Sequence, residues 1–325
     1  MGQAWSVFSK KPGPSGFGPN STAEFVTANI DLHSKTAMVT GATSGIGKET
    51  ARVLAKRGAH VIMAVRNTKA GEEIKLKFLE EDPSATLDVM QLDLGSLASV
   101  RKFAGDFRAQ NLPLNILINN AGAVLPEFEL SEDGMEKTFA TNHIGPFLLT
   151  NLLLDTMKKT AKETGEEGRI VMVASHAHAL ASKGIPYDSL NDKKRYSSGS
   201  AYGITKLANI LHANELSRRL QEEGTNVTAN SVHPGVVSAS NFGKTLGSDN
   251  LFKIVFLTAS RPFMERTIPQ GTATQCYVAT SPNLKGVSGK YFTDCNEVPV
   301  LTKVAQDPKA AEALWKFSED FVSAH

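Results

Sequence analysis

Apolar and polar positions alternate in blocks from residue 35 to residue 233. Short apolar runs predict six strands, and the charged stretches between them, with apolar residues at helical spacing, predict helices. Strands and helices that alternate in this way indicate βαβ units, and therefore a parallel, doubly wound α/β sheet with helices on both faces. The predicted strands are residues 36–40, 59–65, 85–91, 114–118, 169–174 and 226–233. The predicted helices are residues 45–57, 69–81, 96–109, 133–159 and 200–222.

The first 29 residues differ in composition from the rest of the chain. They are rich in Gly, Pro and Ser, which predicts a flexible or surface-draped arm at residues 1–29 and one domain at residues 30–325. Trp5, Phe8 and Phe17 offer apolar side chains for packing this arm onto the body. The opening M-G-Q-A-W-S fits the pattern for myristoylation of Gly2, and one acyl chain gives weak membrane association. An unmodified tail and a partner-docking arm remain open.

Composition narrows the classes of function. Of the 325 residues, 41% are hydrophobic and 21% are charged, the balance of an ordinary globular protein with a sizeable core. A net charge of +2, with both signs interspersed, gives no reason to expect a nucleic-acid partner. No apolar run approaches the roughly 20 residues that span a bilayer, so no transmembrane helix is predicted. Two cysteines form no disulfide framework and favour a reducing compartment, and the histidine spacing predicts no metal site.

A glycine-rich turn, T-G-A-T-S-G-I-G at residues 40–47, follows the first predicted strand and opens the first long helix. Glycine allows a tight turn and close approach of the backbone to a ligand. The helix N-terminus offers N–H groups and a partial positive charge to a pyrophosphate. Plain tight turns also use glycine, but the place between strand and helix favours a dinucleotide site. The predicted cofactor contacts are Gly41, Thr43, Ser44, Gly45, Ile46 and Gly47.

The end of the second strand predicts the type of dinucleotide. NAD sites usually hold the ribose 2′-hydroxyl with a carboxylate at this place. No acidic residue occurs between Val61 and Gly71, whereas Arg66 and Lys69 do occur. A guanidinium suits the 2′-phosphate of NADP, so we expect NADP(H) to be preferred over NAD(H), with Arg66 as a contact. A solvated arginine at a strand end is the alternative.

Small and polar residues follow the other predicted strands and should face the same crevice. A carboxylate after the third strand would lie near the adenine or cap the next helix. The N-N-A-G run at 119–122 lets backbone lie against a cofactor ribose, and an Asn side chain there can tie neighbouring strands together. The turn after the sixth strand would shield a nicotinamide. The predicted contacts are Asp93, Leu94, Asn119, Ala121, Gly122, Pro234, Gly235 and Val237.

Four further residues carry chemistry. Tyr202 and Lys206 stand four residues apart in a predicted helix, so both side chains lie on one face. A nearby ammonium lowers the pKa of a phenol from ~10 and makes it a proton donor for a carbonyl/alcohol couple. Taken alone, such a pair is more typical of a solvated helix face. Ser175, after the fifth strand, would hydrogen-bond a substrate carbonyl oxygen, and Asn142 would shape its helix or hold a water.

In this order, the motifs resemble those of the short-chain dehydrogenase/reductases. The resemblance covers roughly residues 30–320 and implies a single Rossmann-type domain with about seven strands. The long interval between Ser175 and Tyr202 is similar to the retinol-dehydrogenase-like branch. Residues 150–160 and 206–216 resemble the plant short-chain dehydrogenases of the chloroplast inner-envelope translocon.

The resemblance implies a catalytic tetrad of Asn142, Ser175, Tyr202 and Lys206. NADPH would deliver hydride to a carbonyl carbon, Tyr202 would protonate the oxygen, and Ser175 would hold it. Lys206 would lower the pKa of Tyr202 and bind the nicotinamide ribose, and Asn142 would position a water in a proton relay. Related folds also form homodimers through the helices before and after Ser175.

The sequence departs from the family pattern at three places. Ala174 replaces a common serine, and Pro146 stands where the branch often has histidine. After Gly235 the usual threonine is missing, and Ser238 or Ser240 would have to replace it at the nicotinamide.

Two variable segments, residues 176–198 and 236–264, are expected to cover the substrate. The second is apolar enough to line a pocket for a lipophilic ketone or aldehyde and its alcohol, although ordinary helix packing explains it equally well. The predicted substrate contacts are Ser175, His176, Tyr202 and Phe242.

A second function also fits the resemblance. The chain would then be an NADP-sensing or scaffolding subunit of a membrane protein-import complex, located peripherally at the chloroplast envelope. The intact tetrad favours an enzyme, because a sensor needs no proton donor, and a cytoplasmic location is the first expectation. Turnover on carbonyl compounds distinguishes the two functions.

Overall fold

The computed structural model describes residues 11–237, 265–300 and 302–325. Its strands are β1 Thr36–Thr40, β2 His60–Val65, β3 Thr86–Gln91, β4 Ile116–Asn119, β5 Gly168–Val173, β6 Val227–His233, β7 Val236–Val237, β8 Glu265–Arg266, β9 Tyr291–Thr293 and β10 Asn296–Glu297. The order in the main sheet is β10-β9-β6-β5-β4-β1-β2-β3, and β7 pairs with β8 separately. All neighbours in the main sheet are parallel except β9 and β10. The strand order reverses between β1 and β4, which is where doubly wound sheets bind ligands.

Helices cover both faces of this sheet. They are α1 Ala23–Val26, α2 Gly45–Lys56, α3 Thr68–Glu81, α4 Leu97–Ala109, α5 Lys137–Phe139, α6 Gly145–Thr164, α7 Ser198–Glu222, α8 Ile268–Thr280 and α9 Pro308–Ala324. A π-helical turn, Ala140–Ile144, joins α5 to α6. Short 3₁₀ turns occur at His176–Ala181, Tyr187–Ser189, Lys193–Arg195, Pro282–Leu284 and Val304–Gln306. No helix in the described part of the chain is long and apolar enough to cross a membrane.

The core has two layers because the side chains of each strand alternate between the two faces. In β1, Met38 packs on one side with α4, α6, α7 and α9, whereas Ala37 and Val39 pack on the other with α1, α2, α3 and α8. The predicted parallel α/β sheet is therefore confirmed. The main sheet has eight strands rather than about seven, because a two-residue antiparallel strand, β10, extends its edge.

Residues 11–29 pack against the body, so the surface-draped alternative of the predicted arm, and not the flexible one, describes them. The Asn296 side chain accepts a hydrogen bond from Ser15 N (3.0 Å) and donates one to Phe17 O (3.1 Å). The Phe17 ring meets the ring of Tyr277 edge-on at 5.5 Å. The Glu24 carboxylate bonds Arg52 of α2 at 2.6 Å, and the ion pairs with Arg52 and Lys56 lower its pKa to about 2. Aromatic and ionic contacts thus hold a segment whose composition resembles a linker. Residues 1–10 lie outside the described residues.

Helix α7 has almost no exposed face. The C-terminal helix α9 packs along it, and the Trp315 ring lies 5.9 Å from that of His212. The Arg219 guanidinium stacks 4.3 Å above the Trp315 ring, so the cover extends toward the end of α7. One of the two helices expected to form a dimer interface is therefore covered by this chain itself.

Candidate active site

The glycine-rich turn has the tight geometry that the sequence predicts. Gly41 and Gly45 have φ angles of +70° and +55°, a region that favours glycine. A Cβ atom at Gly47 would lie 2.5 Å from the Gly41 carbonyl oxygen and would also clash with the Asn120 side chain. The turn is therefore closed tightly around its own backbone, and helix α2 starts directly from it.

The N-terminus of α2 is open to a ligand. Ser44 takes the N-cap position but makes no capping hydrogen bond with its side chain. The first N–H groups of an α-helix have no partner within the helix, and an anion can accept them. The turn and this helix end together form a cradle that suits a pyrophosphate.

Thr40, which was not predicted as a site residue, connects the turn to β4. Its hydroxyl oxygen accepts hydrogen bonds from the backbone N–H groups of Asn120 (3.0 Å) and Ala121 (2.9 Å). The Asn120 side chain in turn donates to Thr40 O at 2.8 Å. These bonds fix the N-N-A-G run beside the glycine turn, as the predicted strand-tying Asn requires.

The Asn119 side chain does not lie in the crevice, and a contact between its backbone and the cofactor stays a prediction. Its amide donates to Thr150 Oγ1 (3.0 Å) in α6 and to the Met172 sulfur (3.2 Å) in β5. Successive residues of a strand point to opposite sides, so Asn119 faces the core. Asn120 is the residue whose side chain lies at the turn.

Asn142 lies in the π-helical turn and is 1% exposed. Its side chain accepts from Ala123 N (2.7 Å) and donates to Ala123 O (2.8 Å) and Thr205 Oγ1 (3.2 Å). The prediction of a buried Asn that shapes its helix is confirmed. The helix predicted at 133–159 begins later, at Lys137, is interrupted by this turn and continues as α6 to Thr164. Asn142 thereby joins the loop after β4 to α7, one residue before Lys206.

Ser175, Tyr202 and Lys206 come together at the end of β5. The side chains of Ser175 and Tyr202 are hydrogen-bonded, and Ser175 Oγ also accepts from Ala177 N at 3.1 Å. Lys206 Nζ lies 5.4 Å from the centre of the Tyr202 ring and donates to Val173 O at 2.8 Å. A Cβ atom on Gly122 would lie 3.6 Å from the same Nζ. The tetrad therefore converges beside the N-N-A-G run.

The expected effect of Lys206 on the pKa of Tyr202 is absent in the protein alone. Burial raises the pKa of Tyr202, and the Ser175 hydrogen bond opposes this rise. Burial also lowers the pKa of Lys206 to about 7, so near neutral pH much of the amine is uncharged. Burial is the cause, since the Nζ atom belongs to a residue that is only 3% exposed and donates to a neutral carbonyl.

Replacing Lys206 by Met should stabilise the cofactor-free protein near neutral pH. The folded pKa lies below that of the unfolded chain, so wild-type stability gains from this group as pH rises from about 7 to about 10.5 and not below. The stability of the Met variant lacks this dependence on pH. We expect it to be more stable by on the order of 2 kcal/mol at pH 7, and the difference should vanish near pH 10. Val173 O keeps a donor, Asn209 Nδ2, at 3.1 Å.

The measurement is urea unfolding of both proteins at pH 7 and pH 10. Other titrating groups cancel in the difference between the two proteins. Parallel pH profiles would show that the amine remains fully charged in the folded protein.

Arg66 and Asp93 lie at the adjoining strand ends. The Arg66 side chain is exposed just after β2, and no hydrogen bond or ion pair joins it to a described residue. Asp93 Oδ1 accepts from Gly95 N at 2.9 Å, so this carboxylate shapes its own loop. Their contacts to the adenosine half of a dinucleotide stay predictions.

Helix α8 supports the far wall of the crevice, which sequence reasoning missed. The buried Gln275 amide lies 3.5 Å from Ile46 O and 3.5 Å from Asn120 Oδ1. A Cβ atom on Gly271 would lie 3.2 Å from Pro234 O and 3.3 Å from Ile46. Glycine inside a predicted helix signals such close packing, but nothing in the sequence marks Gln275.

The sixth strand ends beside two predicted residues, His176 and Gly235. The Gly235 φ angle is +80°, so the turn needs glycine. The His176 ring stacks on the His233 ring at 3.9 Å, and burial lowers the pKa of His176 to about 4. His176 thus packs against the protein instead of projecting freely toward a substrate. Phe242, Ser238 and Ser240 lie outside the described residues.

The residues present fit a dinucleotide. A Cβ at Gly41 or Gly47 would meet the protein's own backbone, so the turn needs glycine at both positions, and the amino end of α2 has no side-chain cap. No group of three His, Cys, Asp or Glu side chains in the described ranges could hold a metal ion.

Known protein sequences are similar to this chain over most of its length. The family model for short chain dehydrogenase matches residues 35–189. The chain is 54% identical to short-chain dehydrogenase TIC 32 B, chloroplastic, of Brassica napus, over 99% of each chain. It is 40% identical to retinol dehydrogenase 14 of Homo sapiens, over 90% of this chain and 87% of that protein.

Solved structures agree in fold. A Mycobacterium paratuberculosis protein of uncharacterised function has a TM-score of 0.70 and 33% identity, over 91% of this chain and 97% of its own. A gluconate 5-dehydrogenase from Beutenbergia cavernae, solved with bound NADP, has a TM-score of 0.64 and 22% identity, over 81% of this chain and 96% of its own.

Proposed function

Because the chain belongs to the short-chain dehydrogenase family, whose members act on alcohol and carbonyl groups, we propose that it uses NADP(H) to interconvert a lipophilic ketone or aldehyde and its alcohol. The convergence of Tyr202, Ser175 and Lys206 beside the glycine turn carries this proposal. The relatives named retinol dehydrogenase support a lipophilic substrate.

The residues divide the chemistry between them. A bound nicotinamide would supply or accept the hydride at the substrate carbon. In reduction, Tyr202 gives its phenolic proton to the carbonyl oxygen as that oxygen gains charge. Ser175 Oγ already accepts from Ala177 N, so its own O–H can donate to the same oxygen. Lys206, as an ammonium, stabilises the phenolate that remains.

An apolar side chain borders this site and supports a lipophilic substrate. Leu180 is 47% exposed, and its Cβ would lie 2.9 Å from a Cβ atom on Gly203, the residue after Tyr202. An exposed leucine next to the catalytic tyrosine favours an apolar ligand over a hydrated one. The second covering segment, with Phe242, lies outside the described residues, and its contact stays a prediction.

The test is a panel of aldehydes and ketones that pairs each lipophilic compound with a short polar analogue. Purified protein should oxidise NADPH with the lipophilic members and oxidise NADH much more slowly. Turnover confined to the polar analogues would overturn the substrate class. Absence of turnover with every carbonyl compound, despite NADPH binding, would overturn the enzyme proposal.

Replacing Arg66 by Ala should reduce the preference for NADPH. Its exposed guanidinium, which has no partner among the described residues, lies at the strand end where a 2′-phosphate is expected. Loss of a charged hydrogen bond costs about 1.5–3 kcal/mol, or roughly 10- to 100-fold in affinity. We expect kcat/KM for NADPH to fall by that factor and kcat/KM for NADH to change little. Lys77→Ala, which removes an exposed charge from α3, is the control. An equal loss with both cofactors would show that Arg66 does not read the phosphate.

A sensing or scaffolding role is the second candidate, and the 54% identity with a chloroplastic relative favours it. The protein would then report NADP occupancy at the chloroplast envelope, held peripherally, with weak help from an acyl chain on Gly2. Cofactor-dependent co-fractionation with envelope membranes, with no turnover on the carbonyl panel, would support this role. A homodimer would have to use the outer side of α6, because α9 covers α7.

A further inference from the structure

The peptide group between Ser175 and His176 is held at both ends by an imidazole. His178 Nδ1 lies 2.7 Å from Ser175 O, and His176 N lies 3.4 Å from His233 Nδ1. His178 comes from the 3₁₀ turn that follows Ser175, whereas His233 ends β6 on the neighbouring strand. The two rings thus approach one peptide from two different elements.

The partners fix the protons on both rings. A carbonyl oxygen only accepts, so Nδ1 of His178 must carry a hydrogen. A backbone N–H only donates, so Nδ1 of His233 must be bare and Nε2 must carry the hydrogen. Both rings are buried, at 0% and 4% exposure, and burial lowers the pKa of each. Neutral rings with opposite tautomers therefore fit the two ends of the peptide.

This peptide sets the position of the Ser175 hydroxyl. Ser175 O also accepts from His178 N at 3.1 Å, and Ser175 Oγ accepts from Ala177 N. Rotation of the peptide would break the hydrogen bonds at Ser175 O and shift the residue that follows, so Ala177 N would no longer orient Ser175 Oγ. Neighbouring rings restrict the two imidazoles in turn, since His176 stacks on His233 and Tyr291 meets His178 edge-on at 5.5 Å.

We propose that His178 and His233 are positioning residues, which hold Ser175 in place through their hydrogen bonds to the peptide group that follows it. This inference rests on the proposed carbonyl chemistry. Neither histidine needs to touch the substrate. Their role predicts a larger loss in kcat than in cofactor affinity, because the glycine turn at residues 40–47 is untouched and only His233 adjoins predicted cofactor contacts, Pro234 and Gly235.

Paired substitutions test whether these two hydrogen bonds position Ser175. Asn places an amide N–H or carbonyl near the position of Nδ1, whereas Leu offers neither. His178→Leu and His233→Leu should each lower kcat about 10- to 100-fold, with a much smaller change in KM for NADPH. His178→Asn and His233→Asn should recover kcat to within about threefold of wild type. His60→Leu, at the amino end of β2, should leave kcat unchanged.

Two results would overturn the proposal: wild-type kcat in the Leu variants, or equal loss in the Leu and Asn variants. If a Leu variant fails to fold, nitrogen NMR of labelled histidines in the wild-type protein decides instead. It should show His178 protonated at Nδ1 and His233 at Nε2, with signals assigned through the Asn variants. The reverse tautomers would show that the two rings do not form these hydrogen bonds with the peptide group. The NMR measurement needs no substrate, so it tests the two histidine hydrogen bonds independently of catalysis. Failure of the enzyme proposal would instead appear as a lack of turnover by the wild-type protein.

Discussion

Tyr202→Phe should lower kcat for carbonyl reduction by about a thousandfold. The substitution removes the hydroxyl that is hydrogen-bonded to Ser175, and it keeps the ring whose centre lies 5.4 Å from Lys206 Nζ. The glycine turn is untouched, so NADPH affinity should stay within about twofold of wild type. Initial rates of substrate-dependent NADPH oxidation give kcat, and quenching of protein fluorescence gives the affinity.

Tyr187→Phe is the matched control. Tyr187 is partly buried against Phe317, with ring centres 4.7 Å apart, and burial raises its pKa to about 12. The Tyr187→Phe variant also loses a phenolic hydroxyl, but at a position away from the tetrad, so kcat should not change. More than a tenth of wild-type activity in the Tyr202 variant would mean that another group protonates the substrate.

Gly145→Ala should destabilise the fold by about 2–3 kcal/mol. Gly145 opens α6 directly against the end of β3, and an added Cβ would lie 2.9 Å from the Leu94 carbonyl carbon and closer still to its oxygen. Both partners are backbone, so neither can rotate away. The helix would have to shift, and with it the π-helical turn that carries Asn142. Urea unfolding measures the loss.

Gly105→Ala is the control, and we expect it to stabilise the protein instead of destabilising it. Gly105 also lies in a helix, α4, but an added Cβ would meet nothing within 4 Å. Alanine should therefore stabilise the protein by about 0.5–1 kcal/mol, through lower backbone entropy in the unfolded chain. Equal effects at both positions would show that the close approach at Gly145 is relieved easily.

The sheet could be predicted because its signal is local. Each buried strand is a short apolar run between turn residues, and β1 was predicted with its observed bounds at Thr36–Thr40. The glycine turn and the tetrad were predictable for the same reason, since residue type and spacing carry their chemistry. The structure brings Asn142, Ser175, Tyr202 and Lys206 together as the motif order suggested.

The remaining features depend on contacts between distant parts of the chain. Asn119 and Asn120 are identical neighbours, and only the strand's alternation decides which side chain faces the turn. Local composition made residues 11–29 look like a linker, because Asn296 and Tyr277, which hold them, are far away in sequence. The pKa of Lys206 depends on burial, which spacing does not reveal.

The packing of residues 13–17 against the body affects how the chain folds during translation. Ser15 bonds Asn296 across 281 positions, so the earliest part of the chain completes its contacts only when the ribosome has made nearly all of it. Closing so large a loop is slow compared with forming the helices between its ends. Until residues 277 and 296 have been made, Phe17 lacks the Tyr277 ring and Ser15 lacks its Asn296 partner.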